Sequence, residues 1–418
     1  MQIKILGEMR SRLFQILTIA ILFCACNTIN DNPYEGDLVT LKVSLNYPDG
    51  FDSYVREGVN VRLEDINLGH VYISKTDANG KAQFEIPSGL YRLVANDRSE
   101  EYVFNASVDN IRLSSGDTSQ ELQLRYSKAG SLIIKEIYCG GCKRAPIEGT
   151  YQADQYIIIH NNHFEVQYLD SLCFGTMVPY NSTATNPFMT KDEQGNNTFP
   201  DFVPIADAVW QFGGTGTSFP LQPGEDAVLC IRAAINHSDV YPLSVNLNNP
   251  EYFVMYDANL FTNKTYNPAP GDKIQSDHIL KCLIKTNPSI NATMISLNSP
   301  TLVLYKAKSV SMEEFIMRES SVVPIPGSTV GAKVLACPID WVLDAVEVFN
   351  GASSVNVKRL CDELDAGYAT LSETFASKVL ARKKDEMASE SSLYEVLVDS
   401  NNSSEDFVEL SKQSLRNE

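Results

Sequence analysis

The chain has 418 residues, 44% of them hydrophobic and 21% charged, which is enough apolar material for two or three packed domains. Its formal net charge is −18. Such a surface repels phosphate backbones and mismatches anionic lipid headgroups, so it argues against nucleic acid as a partner and against membrane attachment through a basic face.

Residues 1–25 read as a lipoprotein signal peptide. Arg10 and Arg12 form a basic n-region. Residues 13–23 are an apolar run interrupted only by Gln15 and Thr18, shorter than the roughly 20 apolar residues of a membrane-spanning helix. The run ends at Ala25-Cys26, a small residue before a cysteine, and this junction resembles a bacterial lipobox. That resemblance implies cleavage and lipidation at Cys26, with the acyl chains as the membrane anchor. Residues 26–37 are polar, carry Pro33 and Gly36, and read as a flexible tether with an r.m.s. reach of roughly 18 Å.

Residues 38–127 alternate with period 2, the signature of half-buried strands. Val39, Leu41, Val43 and Leu45 alternate with polar neighbours, and so do Val59, Val61 and Leu63. Ala82, Phe84 and Ile86 follow, then 90–95, 102–106 and 122–126. Turn signals at Pro48-Asp49-Gly50, 77–80 and Pro87-Ser88-Gly89 separate them, so a β-sandwich is expected. The run from Thr76 to Phe84 (TDANGKAQF) and Pro87-Ser88-Gly89-Leu90-Tyr91 resembles the carboxypeptidase-regulatory-like, or prealbumin-like, domain. This resemblance implies non-catalytic scaffolding. Asp77-Ala78-Asn79-Gly80 lacks the further oxygen ligands of a calcium loop, and Asn79-Gly80 is expected to make a hairpin turn.

Residues 128–418 are expected to form a second β region with long loops, few short helices and a C-terminal extension. Strands are expected at 131–138, 154–162 and 226–231, the last following the turn Pro220-Leu221-Gln222-Pro223-Gly224-Glu225. This order resembles the lamin-tail type of immunoglobulin-like sandwich, although Ile158 stands where that family usually places an acid. Residues 176–218 and 286–300, rich in small and polar residues, read as surface loops, and 381–392 as a solvated charged loop. Short helices are expected at 311–319, with a Ser311/Glu314 capping box, and at 357–364. Together with 340–346 (DWVLDAV) and 398–407 (VDSNNSSEDF), the whole order resembles an uncharacterised family of Bacteroidetes-type lipoproteins. The fold class is thus mainly β: tandem sandwiches, prealbumin-like then lamin-tail-like.

No catalytic constellation emerges. Gly213-Gly214-Thr215-Gly216 lacks the Lys-Ser/Thr of a phosphate loop, and no zinc-protease or nucleophile-elbow motif is present. Asp399, Glu405 and Asp406, with Asn401 and Asn402, are weak candidates for a hard-cation site and are better read as a capped turn. Cys139-Gly140-Gly141-Cys142 and His160-Asn161-Asn162-His163 have zinc-ligand composition. If their strands are antiparallel neighbours, Cys139 lies beside Asp154 and His160 roughly 20 Å away, so no zinc is expected. Cys139 and Cys142 would then close a short-loop disulfide or stay reduced. The other cysteines that would remain after such processing, Cys173, Cys230, Cys282, Cys337 and Cys361, are scattered. No cofactor is expected. The functional expectation is an exported, lipid-anchored envelope protein, periplasmic or outward-facing at the outer membrane. It would act as a non-catalytic binding, adhesion or transporter-accessory module toward an outer-membrane protein or a surface ligand. The alternative is an extracytoplasmic hydrolase with its site in the loops of the second region; convergent carboxylates or histidines in a deep pocket would favour it, and an aromatic-edged surface would favour binding.

Overall fold

The computed structural model describes residues 38–416 except 99–101, 115, 117, 129, 194, 196, 387–388 and 390–392. The signal peptide, the tether and the Cys26 lipidation site lie outside the described residues.

Alternation in Leu38–Asn46 sends Val39, Leu41, Val43 and Leu45 into one core. That strand sits between Lys81–Pro87, antiparallel to it, and Thr118–Gln123, parallel to it. A five-stranded sheet faces this one, in the order Val71–Lys75, Asn60–Asp65, Gly89–Arg98, Tyr102–Leu113, Arg125–Lys128. The core between them uses residues 39–124, including fully buried Leu41, Leu63, Tyr91 and Phe104. Burying each such side chain contributes about 1.5–3 kcal/mol. Residues 122–126 are not one strand. The chain leaves the first sheet at Gln123, buries Leu124, and joins the second at Arg125.

The expected Asn79-Gly80 hairpin is corrected. Val71–Lys75 and Lys81–Pro87 belong to different sheets, so the turn is a crossover between layers. Only Gly80 has positive φ there, and the Asp77 carboxylate accepts from the Asn79 and Lys81 amides, adding to the backbone bonds Asp77 N–H to Lys81 O and Gly80 N–H to Asp77 O that close the turn.

The second region is built on two six-stranded sheets. One runs Phe253–Val254, Asp226–Cys230, Tyr156–Asn161, Leu132–Tyr138, Val379–Arg382, Phe407–Leu410. The other runs Lys281–Lys285, Ala208–Gln211, Cys173–Thr176, Thr301–Tyr305, Val342–Asn350, Ala369–Leu371. Their inner strands, such as Tyr156–Asn161 and Thr301–Tyr305, are covered on two faces and read as continuous apolar runs. In Tyr156–Asn161, Ile157 and Ile159 enter the core between the sheets, while Tyr156 and Ile158 enter an outer core. Thr301–Tyr305 splits likewise, Leu302 and Leu304 inward, Val303 and Tyr305 toward a third core under the sheet Phe202–Ile205, Lys333–Pro338, Val322–Pro324.

Three loop and helix expectations are overturned here. Phe202–Ile205 and Ala208–Gln211, inside the expected 176–218 loop, are strands, and Trp210 is core. No helix forms at 357–364, because the Arg359 and Leu360 amides donate to the Glu347 carboxylate. The 381–392 segment begins in a strand whose Arg382 is buried. Met312–Phe315 does form a helix, with the expected Ser311/Glu314 capping box.

Arg382 binds three carboxylates. Its Nη2 lies 2.8 Å from Asp344 Oδ2, and its Nη1 lies 3.2 Å from Asp399 Oδ1 and 3.0 Å from Asp406 Oδ2. Asp399 also accepts the Gly130 amide at 2.9 Å, where a Cβ would collide with Ile133 and the Leu343 carbonyl. Asp344 accepts the Ile134 amide at 2.6 Å. Burial, reinforced by the Asp399 charge, raises both Asp406, to about 7, and Asp344 against the opposing pull of Arg382. A second buried cation, Arg359, donates to Glu347 at 2.7 Å.

Replacing Arg382 with Leu leaves three buried acids without their cation, and urea denaturation at neutral pH should show a loss of about 3–5 kcal/mol. A carboxyl whose pKa is raised by folding contributes stability that is complete below its unfolded value and disappears as pH climbs through the folded one. Asp406→Asn keeps the Ser400 contact and removes that titration. It should therefore flatten the decline in stability from mildly acidic pH to just above about 7. A wild-type urea midpoint in Arg382→Leu, or a wild-type pH slope in Asp406→Asn, would show that this cluster does not hold the segment.

Candidate functional site

The structure separates most of the residues that the sequence nominates. Tyr156–Asn161 pairs antiparallel with Leu132–Tyr138, with Tyr138 opposite Tyr156 and His160 opposite Ile133. Cys139 is therefore level with Gln155, one residue from the expected Asp154, and the Gln155 side-chain Nε2 donates to the Cys139 carbonyl at 2.8 Å. His160 remains at the other end of the strand. Its Nδ1 meets Asp226 Oδ1 at 2.7 Å and its Nε2 meets the Glu395 carbonyl at 3.2 Å. Burial would raise Asp226, but the contacts from His160 and Lys135 outweigh it and hold that carboxyl below the usual range.

Cys139 and Cys142 are free thiols, both pushed up to about 12 by burial. Cys142 Sγ lies 3.7 Å from Asp154 Oδ2, which also accepts from Ser244 Oγ at 2.5 Å and the Tyr138 hydroxyl at 3.0 Å. Burial raises Asp154 too. Such thiols are poor nucleophiles and poor metal ligands. Asp399 and Asp406 hold Arg382 in the place a metal cation would take, while Glu405 turns away to Arg62 at 3.1 Å. Among the described residues no group of three or more His, Cys, Asp or Glu side chains is placed to hold a metal ion.

The glycine-rich loop at 213–216 is already filled. The Gly216 and Ser218 amides donate to Asp170 Oδ1 at 2.8 Å, and the Phe219 amide donates to Oδ2 at 2.9 Å. A Cβ on Gly214, whose φ is +98°, would collide with this carboxylate. The loop makes an anion nest whose anion is the protein's own aspartate. Burial pushes Asp170 up, but these three amides outweigh it and the carboxyl sits below its ordinary range.

A smaller, more polar cleft of about 510 Å³ lies between the two regions at Arg56, Asp97 and Ser400, and the larger cleft where they meet has a volume of about 870 Å³. That falls within the range of about 300–1,000 Å³ typical of small-molecule sites. The first sandwich contributes Pro48, Leu124, Arg125 and Tyr126. The opposite wall has an apolar floor that includes Ile339, Leu343 and Leu364, and a polar rim with His163, Lys308, Asp340, Glu363 and Asn401. Tyr126 is 47% exposed, and its ring is backed by Phe51 at 4.6 Å and Tyr102 at 5.8 Å. Phe51 packs in turn on Tyr54 and Phe104, so the wall is a braced aromatic stack. His163 stacks on Phe164 at 4.2 Å, and its Nδ1 accepts the Glu165 amide at 3.1 Å. That bond assigns the ring hydrogen of the neutral tautomer to Nε2. Lys308 donates to the Asp340 carbonyl and lies 3.7 Å from its carboxylate, an ion pair on the rim.

Of these cleft residues, sequence reasoning singled out as candidate ligands only His163, which it had placed in a zinc motif, and Asn401, which it had placed in the oxygen-rich turn. Tyr126 sits at the end of an alternating run and carries no motif of its own. Only the crossover at Leu124 turns it toward the second region.

Residues 222–414 match a family model described as a protein of unknown function (DUF4876). No curated protein matches the chain. A crystal structure of a DUF4876 family protein from Bacteroides thetaiotaomicron VPI-5482 is similar at 24% identity and TM-score 0.53, over 88% of this chain and 94% of that one. This likeness shows a shared fold that spans both regions. A putative carbohydrate binding protein from Bacteroides uniformis ATCC 8492 aligns at 12% identity and TM-score 0.17, over 35% of this chain and 63% of that one. A DUF3823 family protein from Parabacteroides merdae ATCC 43184 aligns at 13% and 0.17, over 43% and 83%. Neither of the last two is close enough to carry an argument.

The Asp170 nest has a direct test. Asp170→Ala leaves three amides without their acceptor and should cost about 1–3 kcal/mol. Hydrogen exchange at Gly216, Ser218 and Phe219 should accelerate in the variant. Because folding lowers this carboxyl's pKa, its contribution is present above the usual carboxylate value and disappears as pH falls through the folded one. Unchanged exchange at those three amides would mean that the loop is held by other contacts.

Proposed function

We propose that the chain is an exported, lipid-anchored envelope protein that works as a binding module, with the cleft between its two regions as the ligand site. The cleft is the observation that carries this reading: a braced aromatic wall, an apolar floor and a rim of both charge signs. This is the composition of recognition sites, which are mostly apolar with a few placed polar groups. The buried acids Asp344, Asp399, Asp406 and Glu347 are engaged by Arg382 or Arg359, so they serve as structural ties. Lipidation at Cys26 and the regulatory-like and lamin-tail-like identities of the two regions belong to the same reading. They rest on the sequence motifs and agree with an adhesion or transporter-accessory role.

Two measurements on the full chain in cells test it. Cys26→Ala should lose its acyl groups and move from the membrane to the soluble fraction; a variant that still carries acyl chains would remove the anchor from the reading. A photo-crosslinking residue at position 308 should give adducts that the same residue at Val240, outside the cleft, does not. Ser131→Trp, which fills the cleft, should abolish them while leaving the thermal midpoint within about 3 °C of wild type, a shift of under about 1 kcal/mol. Equal adducts from both positions, or adducts that survive Ser131→Trp, would rule out the cleft as the site.

A further inference from the structure

We infer that the ligand of the cleft is a neutral oligosaccharide, with one sugar ring seated on the face of Tyr126. The inference rests on the binding-module reading and names its ligand class.

Three observations converge on it. The first is the aromatic wall. Tyr126 lines the cleft and is 47% exposed, and its ring is held by contacts with Phe51 and Tyr102, so it can receive a ligand at little cost in side-chain entropy. Its negative π-face attracts the slightly positive C–H hydrogens on the apolar face of a pyranose. The second is the charge balance of the rim. Arg125 and Lys308 stand against Asp340 and Glu363, while the remaining acid of the lining, Asp344, is paired with Arg382; Asn401, Ser131 and His163 also line the cleft. Such a rim offers donors and acceptors without a net sign. A sugar hydroxyl is at once a donor and an acceptor, so a ring of hydroxyls can satisfy both kinds. An ionic ligand would leave one sign of the rim opposed to it. The third is size: about 870 Å³ of open cleft accepts a chain of several linked units.

Other ligand classes fit less well. Nucleotides would stack on Tyr126, but their phosphates meet a chain of net charge −18. The backbone nest that would cradle a phosphate is filled by Asp170. A lipid would bury the charged rim without pairing it. An amphipathic ligand with one apolar face and a hydroxylated periphery meets the wall, the floor and the rim together.

The test uses purified full-length protein on an array of neutral oligosaccharides built from glucose, galactose, mannose, xylose and N-acetylglucosamine. Uronic-acid and sulfated oligosaccharides and nucleosides serve as comparison arms, and isothermal titration follows any binder. At least one neutral oligosaccharide should bind. Tyr126→Ala should weaken that binding by at least about tenfold, while Tyr126→Phe, which keeps the ring face, should stay within about threefold. Both variants should keep the wild-type circular dichroism spectrum. An array with no neutral binder, preferential binding of the acidic or nucleoside arms, or neutral-sugar binding untouched in Tyr126→Ala would each overturn the inference. If the position-308 adducts vanish in Ser131→Trp while the neutral array is blank, the cleft remains a binding site and only its sugar assignment falls. If adducts and array both fail, the binding-module reading falls with it.

Discussion

A single buried guanidinium, that of Arg382, is the constraint on which the rest of the structure depends. Three carboxylates from Asp344, Asp399 and Asp406 reach it from different parts of the chain. Asp344 brings a central strand of one six-stranded sheet, and through the Ile134 amide it is tied to a strand of the other. Asp399 brings the Gly130 amide, the point where the chain enters the second region. Asp406 fixes the 400–406 turn through Ser400. Apolar residues of the same volume would often stabilise such a place as well or better. A cation with several directed donors can be satisfied in few ways, however, so the cluster selects one mutual placement of three remote segments. Its physical gain is specificity of assembly more than net stability.

From that turn the constraint spreads outward. Ser403 donates to Asp365, which accepts the Glu347 amide, and Glu347 holds Arg359. The two buried cations are thus ends of one polar chain through the second region. The same turn meets the first sandwich: Glu405 pairs with Arg62, and Asn96 reaches Ser400. Nearby, Arg92 donates to the Ala366 carbonyl at 2.6 Å and lies over the Tyr368 ring. The contact is polar on both sides. The cores on either side of it are separate, one confined to residues 39–124 and the three others beginning at Leu132. What aligns the sandwiches is therefore a set of directed bonds rather than a shared apolar core.

The legible part of this structure was the part governed by periodicity. Alternation in 38–46 and 59–63 reported strands with one buried face, and the apolar run at 156–159 reported a strand buried on both. The Ser311/Glu314 box reported a helix start because its chemistry is local. The failures share one cause, a distant partner that outbids the local signal. Residues 357–364 have a helical look, but Glu347 takes two of their amides. Arg382 opens a run of charges that reads as solvated, yet three acids far along the chain draw it inside. Asn79-Gly80 has hairpin chemistry but joins strands of different layers. Asp399 and Asp406 were recognisable as an oxygen-rich turn, and what no spacing rule reveals is that the cation between them is an arginine. The cleft was less legible still, because its wall residues are ordinary in sequence and meet only through the junction of the two sandwiches.

The polar chain and the cleft are linked by position. Gly130, Asp344 and Asn401 line the cleft and also belong to, or adjoin, the Arg382 cluster. The floor of the site is thus the outer surface of the most directionally bonded part of the molecule, while the aromatic wall is carried by the other sandwich. The segment that matches the family model, residues 222–414, contains Lys308, Asp340, Glu363 and Asn401 but none of Pro48, Tyr126 or His163. It also supplies Asp226–Cys230 without its neighbour Tyr156–Asn161, and Val379–Arg382 without its neighbour Leu132–Tyr138, so it is not a self-sufficient folding unit. The cleft therefore exists only in the longer chain. One wall comes from the segment that matches the family model, and the other from residues outside it. Substitutions on the Tyr126 wall would therefore leave intact the Arg382 ion pairs that lie beneath the apolar floor.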